Sequence, residues 1–378
     1  ARDILGQNIL GAVCARVCPT EVLCEGSCVR NTPEDRPVAI GALQRFATDH
    51  VFATGKQLFR AGSPTGRRVA VVGGGPAGLA CAHRLAMLGH GVSVFEAKPK
   101  LGGLNEYGVA AYKVTQDIAQ REIDYLLQVG GITVHTGRRL GTDLTLADLR
   151  RDFDAVFLGV GLGAVNRLGL DGESLPGVHD AVAYIEQLRQ TPDRASLPVG
   201  RRIVVIGGGM TAIDIATQTR RLGAEEVTIV YRRGPTEMGA SGKEQDWAQV
   251  NGVHIRHWAQ PVRLLTDGGA VRGVEFEGTR REDGGGFVGT GERFTLAADM
   301  VFKAIGQVFV PDPFVADGLQ VLDLDRGRIT VDAGQRTSLA GVWAGGDCVS
   351  GGLDLTVAAV EDGKQAALSI DRSLRNGR

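Results

Sequence analysis

Long apolar runs are missing from this 378-residue chain. No stretch approaches the roughly 18 residues that cross a bilayer, so a membrane-spanning protein is not expected. Excess charge is missing too, since 42 Lys and Arg stand against 43 Asp and Glu for a formal net charge of -1. That balance gives no electrostatic case for nucleic acid or an anionic membrane as partner. Aromatic residues make up only 5% while glycine reaches 55 residues, a texture suited to α/β domains with many tight turns. The opening Ala1-Arg-Asp-Ile-Leu5 carries an early acid, unlike a secretory leader, and a cytoplasmic protein is expected. No Cys-x-x-Cys occurs, which excludes paired zinc knuckles and a redox dithiol of that spacing.

What is present is a glycine-rich fingerprint, twice. The first follows a β-branched run as Gly73-Gly-Gly75-Pro76-Ala77-Gly78, and the second as Gly207-Gly208-Gly209-Met210-Thr211-Ala212. In each, the first glycine allows the turn after a strand, and the middle one lets backbone approach a pyrophosphate. The last small residue allows close helix–strand packing. The helix that follows offers unpaired N–H groups and partial positive charge to a diphosphate. Strands are predicted at 69–72, 92–95, 203–206 and 227–231, with helices at 79–88 and 213–222. Two βαβ starts imply two Rossmann-like domains.

The two copies differ at the end of the second strand. The first ends in Glu96, a carboxylate placed to accept both hydroxyls of an adenosine ribose. The second ends Tyr231-Arg232-Arg233, and two guanidiniums there suit a 2′-phosphate, favouring NADPH over NADH. The plain alternative is a solvated strand end. Asp214 reads as a packing or cap residue, Met210 as helix-entry packing, and His254 and His257 as surface or packing residues. A late Gly345-Gly346-Asp347 turn has no βαβ of its own and should return to the first domain. The expected fold is therefore a dinucleotide domain inserted in another, after a small helical domain. Boundaries fall at 1–62 for the helical part, 67–175 with 297–378 for the first nucleotide domain, and 176–296 for the insertion. Residues 40–51 have helical apolar spacing at Ile40, Leu43, Phe46, Ala47 and Val51. Asp35-Arg-Pro37 reads as a turn, and 271–296 as a meander turning at Asp283–Gly286 and Gly289–Gly291.

With Pro76-Ala77 after Gly75, and Gly102-Gly103-Leu104 beyond Glu96, the chain resembles the two-dinucleotide-binding flavoproteins. The resemblance implies FAD on the first fingerprint, with Asp347 by the ribityl and phosphate part. Gly346, Thr356 and Val357 would stand near the flavin, the last two opening a helix toward its pyrimidine edge, where reduced flavin is negative. It also implies flavin contacts at Gly103, Leu104, Lys113 and Leu140, although many relatives carry Arg where Lys113 stands. Ala304-Ile305-Gly306 resembles the segment beside the nicotinamide, and NADPH or NADH is the implied second cofactor.

Four of six cysteines cluster as Cys14-x3-Cys18-Pro-x4-Cys24-x3-Cys28, and Cys-Pro steps are common around cubane clusters. This segment resembles the N-terminal iron–sulfur domain of glutamate synthase small subunits and dihydropyrimidine dehydrogenases. Residues 102–113 and 302–307 look most like the electron-input subunit of the bacterial dehydrogenases. By that resemblance Cys18, Cys24 and Gln44 ligate one [4Fe–4S] cluster, Cys28 a second, and Cys14 neither. Two clusters need more ligands than these residues supply, so two readings stand: unligated buried thiols, or part of a longer two-cluster protein. The implied reaction is hydride from NAD(P)H to FAD, then electrons onward to an FMN-containing partner subunit that reduces uracil or thymine. A glutamate synthase small chain is the alternative, and a non-catalytic assembly subunit is one from another class. A thioredoxin-reductase type is discounted for want of Cys-x-x-Cys.

Overall fold

The computed structural model describes residues 1–32, 38–282, 284–316 and 319–376. The expected turn at Asp35–Pro37, and Asp283 at the start of another, lie outside the described residues. The chain forms two compact units, one of Ala1–Glu106, Val114–Ala164 and Val308–Arg378, the other of Tyr107–Lys113 and Val165–Gln307.

The first unit is built on a five-stranded parallel sheet. Its spatial order is Val342–Ala344, Ala155–Leu158, Arg68–Val72, Gly91–Glu96, Ile132–Thr136. Both faces are buried, as parallel sheets require. Val69 and Val71 join one apolar cluster, while Ala70 and Val72 join another. Helix α1 (Gly11–Val17) packs on α2 (Ile40–Thr54), and α3 (Pro76–Met87) follows the first fingerprint. Helix α4 (Ile118–Leu127) lies later in the same unit. Leu5, Ile9, Leu10 and Val51 share one core with Val69 and Val71, so the helical N-terminal segment is part of this unit.

The second unit repeats the design. Its parallel sheet runs Val178–Asp180, Met300–Lys303, Arg202–Ile206, Glu226–Tyr231, Val253–His257. Helix α5 (Met210–Arg221) follows its fingerprint. A three-stranded antiparallel sheet of Ala259–Asp267, Ala270–Arg281 and Phe287–Ala297 completes the unit. Among the described residues no helix is long and apolar enough to cross a membrane.

Two expectations are corrected. The insertion spans Val165–Gln307 with Tyr107–Lys113, not 176–296. The reason is that Met300–Lys303 pairs in parallel with Arg202–Ile206 and belongs to the second sheet. The turn expected at Gly289–Gly291 lies inside a strand, where a register shift between Glu277 and Thr279 absorbs two extra residues. In α2, Leu43 and Phe46 are 59% and 75% exposed, whereas Gly41, Thr48 and Val51 are buried. The small-residue face wins because α1 approaches closely there: a Cβ on Gly11 would stand 3.6 Å from Thr48 Cγ2.

The final helix α6 (Thr356–Asn376) lies directly on α3. A Cβ at Gly363 would run into the Ala77 carbonyl and stand 3.0 Å from Cys81 N. Gly363→Ala is therefore expected to cost about 2 kcal/mol or more, read by denaturant melts. Gly242→Ala, in open space at a helix start, should leave stability unchanged or higher. Equal melts for the two variants would refute this packing argument.

Candidate functional site

In the first unit, Gly73 takes φ +98° and a Cβ there would strike the Gly159 carbonyl. A Cβ on Gly78 would strike the Gly73 carbonyl in turn. These two contacts press strand, turn and helix together. Gly75 is the N-cap of α3, with Pro76 in the first helical turn and no side-chain cap. Its leading N–H groups are therefore left for a ligand. A Cβ on Gly75 would find only Gly103 Cα, 3.7 Å away, within 4 Å. Gly103, at φ +53°, and Leu104 form the opposite lip. This open cradle at a helix N-terminus fits a dinucleotide diphosphate.

Glu96 ends its strand as expected and is buried. Its Oε2 accepts from Gly74 N at 2.8 Å and its Oε1 from Lys98 N at 2.7 Å. The carboxylate thus ties the cradle loop to the next strand and keeps lone pairs for ribose hydroxyls. Gly346 brings the late turn against α3, since its Cβ would lie 3.2 Å from Ala77 Cβ. Gly346 N donates to Asp362 Oδ2 at 2.9 Å. Asp362 was not singled out from sequence; its signal is an acid preceding Gly363 inside a helical pattern. Thr356 Oγ1 donates to Asn105 Oδ1 at 2.8 Å, and Val357 is partly exposed beside it. Leu140 is buried in the apolar cluster with Val72, Leu158 and Cys348. Lys113 falls in the second unit, where its ammonium is 2.7 Å from both Asp214 and Glu244. Asp214 also accepts from Ala110 N at 3.2 Å and Tyr112 OH at 3.1 Å. So Asp214, read as a packing residue, anchors the Tyr107–Lys113 strap.

The second cradle has the same mechanics. Gly207 takes φ +145°, and a Cβ there would strike the Ala304 carbonyl. Gly208 lies against the Tyr231 ring, and a Cβ on Gly209 would meet nothing within 4 Å. Met210 and Thr211 open α5, and Ala212 is fully buried against the core. Asn166 closes the Ala304–Gly306 turn, its N donating to Gly306 O at 3.0 Å and its Nδ2 to Ile305 O at 3.1 Å. Arg232 and Arg233 lie over the Phe287 ring, 4.8 and 5.5 Å from its centroid. Phe287, from the antiparallel sheet, was not anticipated. His257 Nε2 lies 3.3 Å from Met238 Sδ, a packing position, and His254 is exposed.

The cysteines are all free thiols. Cys14 and Cys18 hydrogen-bond, which raises Cys14 above the ordinary thiol value and lowers Cys18; burial adds to the first and opposes the second. Cys24 is exposed and Cys28 half-buried. Gln44 Nε2 donates to Gly11 O at 2.7 Å. Among the described residues no three His, Cys, Asp or Glu side chains converge as a metal site. Soft thiols with this spacing suit iron–sulfur ligation chemically.

Two families match. One described as pyridine nucleotide-disulphide oxidoreductase covers residues 67–363. One described as dihydropyrimidine dehydrogenase domain II, 4Fe-4S cluster, covers 1–56. The glutamate synthase [NADPH] small chain of Escherichia coli is 36% identical, over 96% of this chain and 80% of its own. The NAD-dependent dihydropyrimidine dehydrogenase subunit PreT of Salmonella typhimurium is also 36% identical, over 99% and 84%. The NADP(+)-dependent formate dehydrogenase subunit beta of Moorella thermoacetica matches at 36%, but the chain spans 55% of it. Mycobacterium tuberculosis FprA, solved with NADPH, superposes with a TM-score of 0.71 at 20% identity, over 82% of this chain and 85% of that one. That likeness concerns the fold.

Burial, with the Asp354 charge, pushes Asp347 up to about 6 from an ordinary 3.8, against Arg328 and its own N–H. The folded, flavin-free chain then holds this proton more tightly than the unfolded one. Stability attributable to Asp347 falls as pH climbs from its unfolded value through its folded one, and is level above. Asp347→Asn should remove that slope and raise the flavin-free chain's stability at pH 7. Denaturant melts from pH 4 to 7 test this, and an unchanged slope would count against it.

Proposed function

Since the chain belongs to the pyridine nucleotide-disulphide oxidoreductase family, we propose that it is the electron-input subunit of a larger enzyme. In this reading it oxidises NAD(P)H and serves an FMN-containing partner that reduces uracil or thymine to the 5,6-dihydro form. The observation that carries it is the pairing of two open cradles, at Gly75 and Gly209, with a cysteine segment of dihydropyrimidine dehydrogenase type. FAD, NAD(P)H and an iron–sulfur centre are the family's cofactors. When bound, they supply hydride acceptance, hydride donation and one-electron carriage.

The chain's own residues bind and orient. Gly73, Gly75 and Gly78 would let the α3 N-terminus reach the FAD diphosphate, with Glu96 on the ribose and Asp347 on the ribityl side. Gly207, Gly208 and Gly209 would do the same for the nicotinamide cofactor at α5. Arg232 and Arg233 would hold its 2′-phosphate, and Phe287 keeps both guanidiniums in place at about 0.5–1 kcal/mol each. Hydride transfer needs alignment rather than a side-chain acid or base, so no catalytic proton donor is assigned. Cys18, Cys24, Cys28 and Gln44 would contribute cluster ligands. The second reading, a glutamate synthase small chain, is favoured by the equal identity to that relative and by the arginine pair.

The purified chain should carry about one FAD, as a single flavin cradle implies, and should bleach with NADPH under anaerobic conditions. A folded but colourless protein with no affinity for FAD would end this proposal. Co-purification with a uracil-reducing or a glutamate-forming partner separates the two readings. Arg232→Ala/Arg233→Ala should weaken NADPH binding about tenfold or more with NADH unaffected. Phe287→Ala should give a smaller loss of the same sign, read with 2′,5′-ADP by calorimetry. Equal losses for both nucleotides would mean that the arginines do not read the 2′-phosphate.

A further inference from the structure

Glu122 is a fully buried carboxyl that the cradles do not use. It projects from α4 onto α1, the helix that carries Cys14 and leads into Cys18. Its Oε1 accepts from Ala12 N at 2.6 Å and Val13 N at 3.4 Å, and its Oε2 lies 3.3 Å from Val13 N. Helix α1 has Leu10 at its N-cap and no side-chain cap of its own. Glu122 therefore caps it from a distance of 110 residues along the chain. Burial pushes this carboxyl up to about 8, countered by the Ala12 and Val13 N–H groups and by Arg16. An apolar side chain here would leave the buried Ala12 and Val13 N–H groups unmatched.

The next residue of α4, Ile123, reaches the first cradle. A Cβ at Gly102 would stand 3.1 Å from Ile123 Cδ1, and Gly102 N donates to Gly74 O at 2.7 Å. One helix thus joins the cradle loop, through Gly102 and Ile123, to the cysteine helix, through Glu122. The far flank of α1 is held by α2, with Gln44 on Gly11 O and Arg16 2.6 Å from Asp49.

Resting on the electron-input reading above, we propose that Glu122 is a positioning residue that locks the cysteine helix to the flavin cradle and so sets the geometry of Cys14 and Cys18 toward the flavin. A carboxamide keeps one acceptor oxygen at the same reach, so Glu122→Gln preserves the lock. Glu122→Ala abolishes it, and Glu122→Asp, one methylene short, loosens it.

The test uses the whole chain with FAD bound and measures iodoacetamide alkylation of Cys14 and Cys18 by peptide mass spectrometry. In Glu122→Ala, Cys14 alkylation should rise about tenfold, as loss of a buried cap frees local opening. Glu122→Gln should stay close to the parent, with Glu122→Asp between. Should Glu122→Ala fail to fold, the Gln and Asp variants carry the comparison. Anaerobic bleaching by NADPH should be unchanged in every folded variant. Cys14 as protected in Glu122→Ala as in the parent, or as open in Glu122→Gln as in Glu122→Asp, would overturn the proposal. A parent chain that does not bleach would sink the electron-input reading, while alkylation would still report on Glu122.

Discussion

Backbone meeting backbone without a Cβ between them is the constraint on which both halves of this molecule depend. At Gly78 and Gly73, and again at Gly207 and the Ala304 carbonyl, the space a side chain would fill is taken by a main-chain oxygen. A strand can therefore end, reverse and start a helix within a few residues, leaving the helix N-terminus facing outward. In the first unit the constraint spreads. Gly363 lets α6 press on the start of α3, and Gly346 brings the Asp347 turn to the same place. The binding elements come from 73–78, 102–104 and 345–347, and these packed glycines fix their spacing.

On that common scaffold, charge makes the two halves differ. The first presents buried Glu96 and half-buried Asp347, acceptors for hydroxyl groups. The second presents Arg232 and Arg233, which lie over an aromatic ring. A cation held on a ring keeps its full charge for a phosphate, whereas a salt-bridged one is partly neutralised. Lys113 shows the contrast: two carboxylates hold its ammonium and raise it above its ordinary value against the opposing effect of burial. Its role in the structure is to fasten the Tyr107–Lys113 strap.

The N-terminal segment is organised differently, by polar contacts at a small-residue interface. Gly11, Gly41 and Thr48 let α1 and α2 approach, while Gln44, Arg16 and Glu122 satisfy main-chain or charged groups around α1. Leu43 and Phe46 are left facing outward. A helical apolar period marks a helix correctly but does not say which face is buried when glycine and threonine offer closer contact.

The sequence by itself determined the two strand–glycine–helix units, the acid ending one and the arginines ending the other, and the parallel character of both sheets. These are local patterns, in which a few neighbouring residues dictate backbone conformation whatever lies elsewhere. Only the tertiary structure decided that Met300–Lys303 joins the second sheet, that Tyr107–Lys113 is fastened to Asp214, that Phe287 underlies the arginine pair and that Glu122 caps a helix far from it in sequence. Each depends on which distant segment arrives at a given hydrogen-bonding edge or unsatisfied N–H. That pairing is set by the packing of the whole chain, and no short window of sequence encodes it.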